Sequence, residues 1–346
     1  MVGGVPVGGG APVTLQSMTN TDTRDSAATI AQIHALEAAG CEIVRSSVYD
    51  MDCVAALPAI RAAISIPLVA DIHFDHRLAI ASIEAGVDKL RFNPGNIGSR
   101  AKVRELVAAA KGKGVPIRIG VNGGSLQKDL LRKYGGPTAE ALVESALSHV
   151  AVLEEQGFYD TVISIKSSSV PVTVAANRML AGRVDYPIHI GVTEAGGGVQ
   201  ALVKAAAGAG SLLLDGIGDT LRVSITDDPL REIEAGLTIL RALELRREGI
   251  EIVSCPTCGR CKVNLPAISA RIQARLPKTK RYFKLAVMGC VVNGPGEARE
   301  ADLGIAFAPG GCMLFAGGEK LCSCKDWEEG IERLIERAQS MINSQE

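Results

Sequence analysis

The chain has 346 residues, 47% of them hydrophobic and 22% charged, with a formal net charge of −1. That length suits two domains, or one barrel with an appendage, and the composition supplies a sizeable core. Near-neutrality excludes a global pull towards nucleic acid or an anionic membrane. With no signal-like start and no membrane-spanning apolar run, the expectation is a soluble cytoplasmic protein.

Apolar, β-branched runs at 13–20, 42–47, 67–73, 89–93, 116–122, 161–166, 187–193 and 219–225 read as strands. Between them lie amphipathic, alanine-rich helical patterns at 26–39, 54–63, 76–85, 102–113, 138–156, 172–181 and 199–207. Gly40, Gly86, Gly114 and Gly157 supply helix stops, and Asp228-Pro229 opens a further helix to Leu245. Eight near-evenly spaced strand–helix units predict an α/β fold, a (β/α)8 TIM-type barrel over residues 1–246. Pro6 and Gly8-Gly9-Gly10 suggest a short hairpin closing its floor. Beyond Gly249 the pattern changes to a strand at 250–253, a helix at 265–276, strands at 284–288, 302–308 and 313–316, and a closing helix from 327 to about 342. This predicts a small α+β domain over 247–346.

In such barrels chemistry sits at the C-terminal strand ends. Those ends carry Arg45, Asp71 and His73, Arg91 and Asn93, Arg118 and Asn122, Lys166, His189 with Thr193 and Glu194, and Arg222. Arg45, Arg91, Arg118 and Lys166 lie on four different strands and would converge on one mouth. The forked guanidinium matches phosphate oxygens, so a phosphorylated or diphosphorylated small molecule is the natural ligand. The blander reading makes each a local ion pair, Arg45 with Asp50 and Arg91 with Asp88, and Lys166 with a nearby carboxylate. A metal held by His73, His189 and Asp71 is conceivable, though no motif spacing demands it. The glycine-rich stretches at 120–124 and 196–198 could cradle phosphate or simply turn the chain.

Nine cysteines in a cytosolic chain are poor disulfide candidates, and seven of them follow residue 250. Cys255 and Cys258 have the spacing to grip one metal centre from a single turn. Cys290 stands apart in a second glycine-rich turn, seven residues before Glu297. Three thiolates and a carboxylate suit an iron–sulfur cluster with one labile position. A structural zinc completed by Cys322 and Cys324 is the rival, and spacing alone does not separate the two.

Several long segments carry a resemblance. They include Gln16-Ser17-Met18-Thr19-Asn20-Thr21-Asp22-Thr23-Arg24-Asp25, Ala70-Asp71-Ile72-His73-Phe74 and Arg91-Phe92-Asn93-Pro94-Gly95-Asn96-Ile97-Gly98. Arg118-Ile119-Gly120-Val121-Asn122, His189-Ile190-Gly191-Val192-Thr193-Glu194-Ala195-Gly196 and both cysteine turns follow in order. Together they resemble the 4-hydroxy-3-methylbut-2-enyl diphosphate synthases of the methylerythritol phosphate route to isoprenoids, in their shorter bacterial form. The resemblance implies reductive ring opening and dehydration of 2-C-methyl-D-erythritol 2,4-cyclodiphosphate. It also implies a [4Fe–4S] cluster in a sulfite-reductase-like C-terminal domain, reduced by ferredoxin or flavodoxin. It makes Cys255, Cys258, Cys290 and Glu297 the cluster ligands. Arg45, Arg91, Arg118 and Lys166 become diphosphate contacts, and Asp71, His73, Asn93, Asn122 and His189 further mouth residues. Glu194 becomes a proton donor or stabiliser, and Glu297 the ligand that substrate displaces. A head-to-tail homodimer would bring barrel and cluster domains face to face. The chain departs from the family pattern at Cys261, where a non-cysteine residue is expected, and along Arg45-Ser46-Ser47-Val48-Tyr49-Asp50. The readings that do not use the resemblance are an iron–sulfur carrier with a phosphate-binding barrel, and a barrel lyase or isomerase with a structural zinc.

Overall fold

The structure, a computed structural model, describes residues 1–261, 263–290, 296 and 300–344. The chain divides into two compact units, Met1–Leu245 and Arg246–Glu346.

In the first unit eight parallel strands form the wall: β1 (Thr14–Met18), β2 (Ile43–Ser47), β3 (Leu68–Asp71), β4 (Lys89–Phe92), β5 (Ile117–Asn122), β6 (Thr161–Lys166), β7 (His189–Ile190) and β8 (Thr220–Leu221). Their order around the sheet is β6-β5-β4-β3-β2-β1-β8-β7. A parallel bridge between Ile163 and Ile188 joins the two ends, reinforced by Ile163 N–H donating to the Pro187 carbonyl at 2.9 Å. The barrel expected from the sequence is therefore present. β7 and β8 are shorter than the apolar runs suggest. Gly191, at φ +153°, ends β7, and a side chain there would run into the Arg222 carbonyl. At the floor the bridge lies earlier than the glycine turn, between Val2 and Val5, and Val2 packs on Ile43 and Val69.

Helices cover the outside because outward positions are apolar: Leu15, Val44, Ala70, Leu90, Phe92, Ile117, Ile119, Ile163 and Ile165 all belong to one buried cluster. Asp25, Asp50, Ser99, Thr138 and Ser169 cap helix starts through side-chain oxygens. The main core thus lies between strands and helices. Strand alternation then turns every second residue into the barrel lumen, and there the sequence is polar.

The second unit is a five-stranded sheet, β9 (Ile250–Ser254), β10 (Phe283–Met288), β11 (Leu303–Ala308), β12 (Gly311–Ala316) and β13 (Glu319–Cys324), in that spatial order. β9, β10 and β11 are parallel; β12 and β13 complete an antiparallel edge. One face packs Leu285, Val287, Ile305 and Leu314 against Ile331, Leu334 and Ile335 of the helix Trp327–Asn343. The sequence reading lacks β13, a largely exposed, polar edge strand. Its hairpin turn is Gly317-Gly318, with φ of +53° and +85°, the conformation that favours glycine in tight hairpins.

Candidate functional site

The lumen is built in rows set by strand register. Ser47, Asp71, Arg91 and Arg118 stand side by side across β2 to β5. The row containing Arg45, Val69 and Lys89 lies beneath, and Asn122 pairs with Lys166 above. On the opposite wall His189 and Thr220 are register partners. Period-two alternation alone thus brings Arg45, Lys89, Arg91, Arg118 and Lys166 into one barrel. All five are buried, none more than 8% exposed.

Asp71 neutralises part of that charge. Arg91 Nη1 donates to its Oδ1 at 2.9 Å, Arg45 Nε stands 3.5 Å from Oδ2, and His73 Nε2 stands 3.7 Å from the same oxygen. Burial alone would raise the Asp71 carboxyl, but the fields of Arg45, Arg91, His73 and Arg118 outweigh it and hold it at about 2. The local pairings expected for the arginines are corrected here. Asp50 caps a helix through the Cys53 N–H, and Asp88 engages Arg61 at 2.7 Å. Arg45 instead leans on Asp71 and on Met18 Sδ, at 3.0 Å from Nη2, and burial lowers it to about 10.

Lys166 Nζ lies 3.1 Å from His189 Nε2, while His189 Nδ1 lies 2.7 Å from Thr220 Oγ1. Burial, then Arg118 and Lys166, holds His189 far below its ordinary value, so the ring is neutral. With both nitrogens engaged, it is no part of a His73–His189–Asp71 metal centre. Glu194 follows β7, is exposed and sits at φ +53°, an uncommon conformation for a non-glycine residue. Asn93 caps the turn Pro94–Ile97 through Gly95 N–H at 2.9 Å, and Asn122 ends β5, half-buried. Arg222 is tied to Glu232 by two contacts of 3.2 and 3.1 Å, and Glu232 also accepts from Ser17.

After these contacts, several buried donors have no hydrogen-bond partner among the described residues: Arg91 Nε, Arg118 Nε and Nη1, and Lys89 Nζ. Gly120 makes room for this crowding, since a Cβ there would lie 2.7 Å from Arg91 Nε. Converging cationic donors around Asp71 have the charge and hydrogen-bonding capacity to take a multiply charged anion. Lys89 is the residue that strand-end reading passes over, because it lies one row deeper. The pattern Lys89-x-Arg91-x-Asn93 nevertheless puts it on the lumen face. Burial, then Arg118 and Arg45, lowers it to about 7. A lysine depressed on folding makes the native state bind fewer protons than the unfolded chain, so its cost grows as pH falls from its ordinary 10.5 towards 7. Lys89→Met is accordingly expected to raise stability at pH 7 by about 1–4 kcal/mol. The gain should fade towards pH 10; chemical denaturation at both pH values checks it, and an equal gain at both would refute the assignment.

In the second unit the cysteine turns meet because β9 and β10 run parallel, with Ser254 opposite Val287. Cys255 follows β9, and Gly289-Cys290 follows β10. Gly289 N–H donates to Cys255 Sγ at 3.2 Å. Cys258 is exposed, and its carbonyl accepts from Cys261 N–H at 2.9 Å, closing the turn. Cys261 packs against Gly289 but gives its own S–H to the Val263 carbonyl at 3.3 Å. Glu297 lies outside the described residues.

Among the described residues no three His, Cys, Asp or Glu side chains converge as a single-ion site requires. Three thiolates that each bind a separate iron need no such convergence. The donors themselves fit a cluster: thiols from two adjoining turns, with a backbone N–H bonding one sulfur, the contact that tunes cluster sulfurs. The zinc completed by Cys322 and Cys324 is overturned. Those residues lie on β13, four strand spacings, roughly 19 Å, from β9.

Comparison with known proteins agrees with both units. Residues 1–237 match the GcpE TIM-barrel domain and residues 251–340 the GcpE protein C-terminal domain. The chain belongs to the GcpE family. A Geobacter sulfurreducens relative of this GcpE chain is 60% identical over 318 residues, covering 92% of this chain and 90% of that one. A Maridesulfovibrio salexigens relative is 56% identical over 334 residues, covering 96% and 92%. Both are named 4-hydroxy-3-methylbut-2-en-1-yl diphosphate synthase (flavodoxin). Among the described residues no helix is long and apolar enough to cross a membrane.

Proposed function

We propose that this GcpE protein converts 2-C-methyl-D-erythritol 2,4-cyclodiphosphate to 4-hydroxy-3-methylbut-2-enyl diphosphate, an oxidoreductase reaction of isoprenoid biosynthesis. The observation that carries the reading is the buried cationic lumen, five inward Lys and Arg side chains around Asp71, with unpaired donors suited to a diphosphate. The substrate takes up two electrons and protons and loses one oxygen as water. Flavodoxin, the donor named for the relatives, is the proposed source of electrons, with ferredoxin as an equivalent.

Cys255, Cys258, Cys290 and Glu297 would hold a [4Fe–4S] cluster. When bound, that group supplies single electrons and a Lewis-acidic iron for the departing oxygen. The remaining work belongs to the chain's own side chains. Arg91 and Arg118 bind and orient the diphosphate, Arg45 and Lys166 close around it, and Asp71 holds the two flanking arginines in place before the anion arrives. Neutral His189 fixes Lys166. His73, Asn93 and Asn122 line the rim, and Glu194, exposed beyond β7, would serve as proton donor or stabiliser at the reacting carbon. A homodimer bringing a barrel to a partner's cluster domain belongs to the same proposal.

Two substitutions test it. Arg91→Met is expected to raise the KM for the cyclodiphosphate by about a hundredfold, the loss of a charge-assisted bidentate contact, while leaving cluster content intact. Glu297→Ala is expected to retain the cluster and lose turnover. An Arg91→Met protein with unchanged KM would refute the assigned receptor, and a fully active Glu297→Ala protein would remove that carboxylate from the site.

A further inference from the structure

The β12–β13 hairpin carries three thiols that the cluster does not use. Cys312 and Cys324 are direct partners across the antiparallel pair, and Cys322 stands two residues before Cys324 on the same strand. Cys312 turns its S–H to the Asp326 carbonyl at 3.8 Å, and the three thiols lie near enough for the fields of Cys322 and Cys324 to act within the group. All three face the helix Trp327–Asn343. That helix passes so close to Cys312 Sγ that only glycine fits at position 330. Its Arg333 lies within reach of the fields of Cys322 and Cys324, and is itself anchored to Glu329 at 2.6 Å. Access is unequal: Cys312 and Cys324 are only 4% and 5% exposed, while Cys322 is half-buried.

We propose that Cys312, Cys322 and Cys324 form a peroxide-reactive dithiol site, with Cys322 as the entry thiol and a Cys312–Cys324 disulfide as the oxidised state. Geometry selects the pair. Directly opposed antiparallel residues have Cα atoms about 4.5–5.5 Å apart, inside the roughly 4.4–6.8 Å that disulfides span. Cys322 and Cys324, two apart on one strand, lie about 6.6 Å apart, at the far limit of that range. Burial holds Cys312 up at about 12 and also raises Cys324, so neither reacts readily with an outside oxidant. Cys322 therefore meets hydrogen peroxide first: its sulfur takes one oxygen to become a sulfenic acid, and the peroxide leaves as water. Cys324 displaces the sulfenic oxygen as a second water, forming a Cys322–Cys324 bond. Cys312 then attacks Cys324, releasing Cys322 as a thiol and leaving Cys312–Cys324. Two thiols lose two electrons and two protons, and one peroxide becomes two waters. A dithiol reductant reverses the change.

The inference does not depend on the proposed enzymatic reaction. The test is peptide mapping of the anaerobically purified holoprotein after one equivalent of hydrogen peroxide and thiol alkylation. A Cys312–Cys324 linked peptide, removed by dithiothreitol, is expected. Cys322→Ser should slow its formation at least about tenfold, and Cys324→Ala should leave Cys322 as a sulfenic acid trapped by dimedone. The wild-type map alone decides the pair should a variant fail to fold. No linked peptide, links confined to Cys255, Cys258, Cys261 and Cys290, or an unchanged rate in Cys322→Ser would each overturn the proposal.

Discussion

Asp71→Ala destabilises the barrel unit by about 3–5 kcal/mol at neutral pH, the expected cost of stripping the partner from a buried charge cluster. Asp71 is the carboxylate bridging Arg45 and Arg91 on neighbouring strands. Without it those guanidiniums stay buried beside Arg118, Lys89 and Lys166, and only the more distant Glu232, already tied to Arg222, acts on Arg45 with the opposite sign. The pH dependence has a definite sign. The folded carboxyl is held at about 2, below its ordinary 3.8. Its contribution is therefore complete above the ordinary value and is lost as pH falls through about 2. The gap between wild type and variant should be widest near neutrality and close in strong acid. Inorganic pyrophosphate should recover part of the loss, because it restores negative charge to the same donors. Urea midpoints with and without pyrophosphate measure both effects. A variant as stable as wild type would mean that Asp71 does not hold the arginine row.

The second large effect is on the cysteine turns. Cys290→Ser is expected to abolish cluster assembly, with loss of bound iron, of sulfide and of the visible thiolate–iron absorption. Turnover should fall by more than about 100-fold, beyond the effect typical of outer-shell changes at metal sites. Cys261→Ser is the internal control. Its sulfur packs on Gly289 yet bonds the Val263 carbonyl, so cluster and activity should survive its replacement. A Cys261→Ser protein without iron would exchange the roles of Cys261 and one of the proposed ligands.

Strand alternation makes the barrel and its cationic lumen legible in the sequence. Arg45, Arg91, Arg118 and Lys166 fall at polar positions of otherwise β-branched runs, and a period of two can point them only inward or outward. Their partners were not legible, because pairing depends on register between strands. Sequence nearness offers Asp50 and Asp88, whereas the parallel register supplies Asp71, on the strand between the two arginines. Lys89 escaped for a related reason: attention to strand ends favours the rim, and it sits a row below. Asn93 shows the converse, a strand-end polar residue whose side-chain oxygen serves a local cap. In the second unit β13 is too polar to read as a strand, so sequence alone leaves Cys322 and Cys324 free to join the metal turns. Sheet order sets them at the opposite edge, where they become neighbours of Cys312.

The proposed reaction requires that a diphosphate held in the barrel lumen receive electrons from a cluster that Cys255, Cys258 and Cys290 would hold. The most direct measurement is an anaerobic assay of the iron-loaded protein with the cyclodiphosphate and chemically reduced flavodoxin, following product formation and electrons consumed together. The account predicts one 4-hydroxy-3-methylbut-2-enyl diphosphate for every two electrons, and none from Cys290→Ser. Full activity in a colourless, zinc-loaded protein, or no consumption of the cyclodiphosphate by the iron-loaded one, would contradict it.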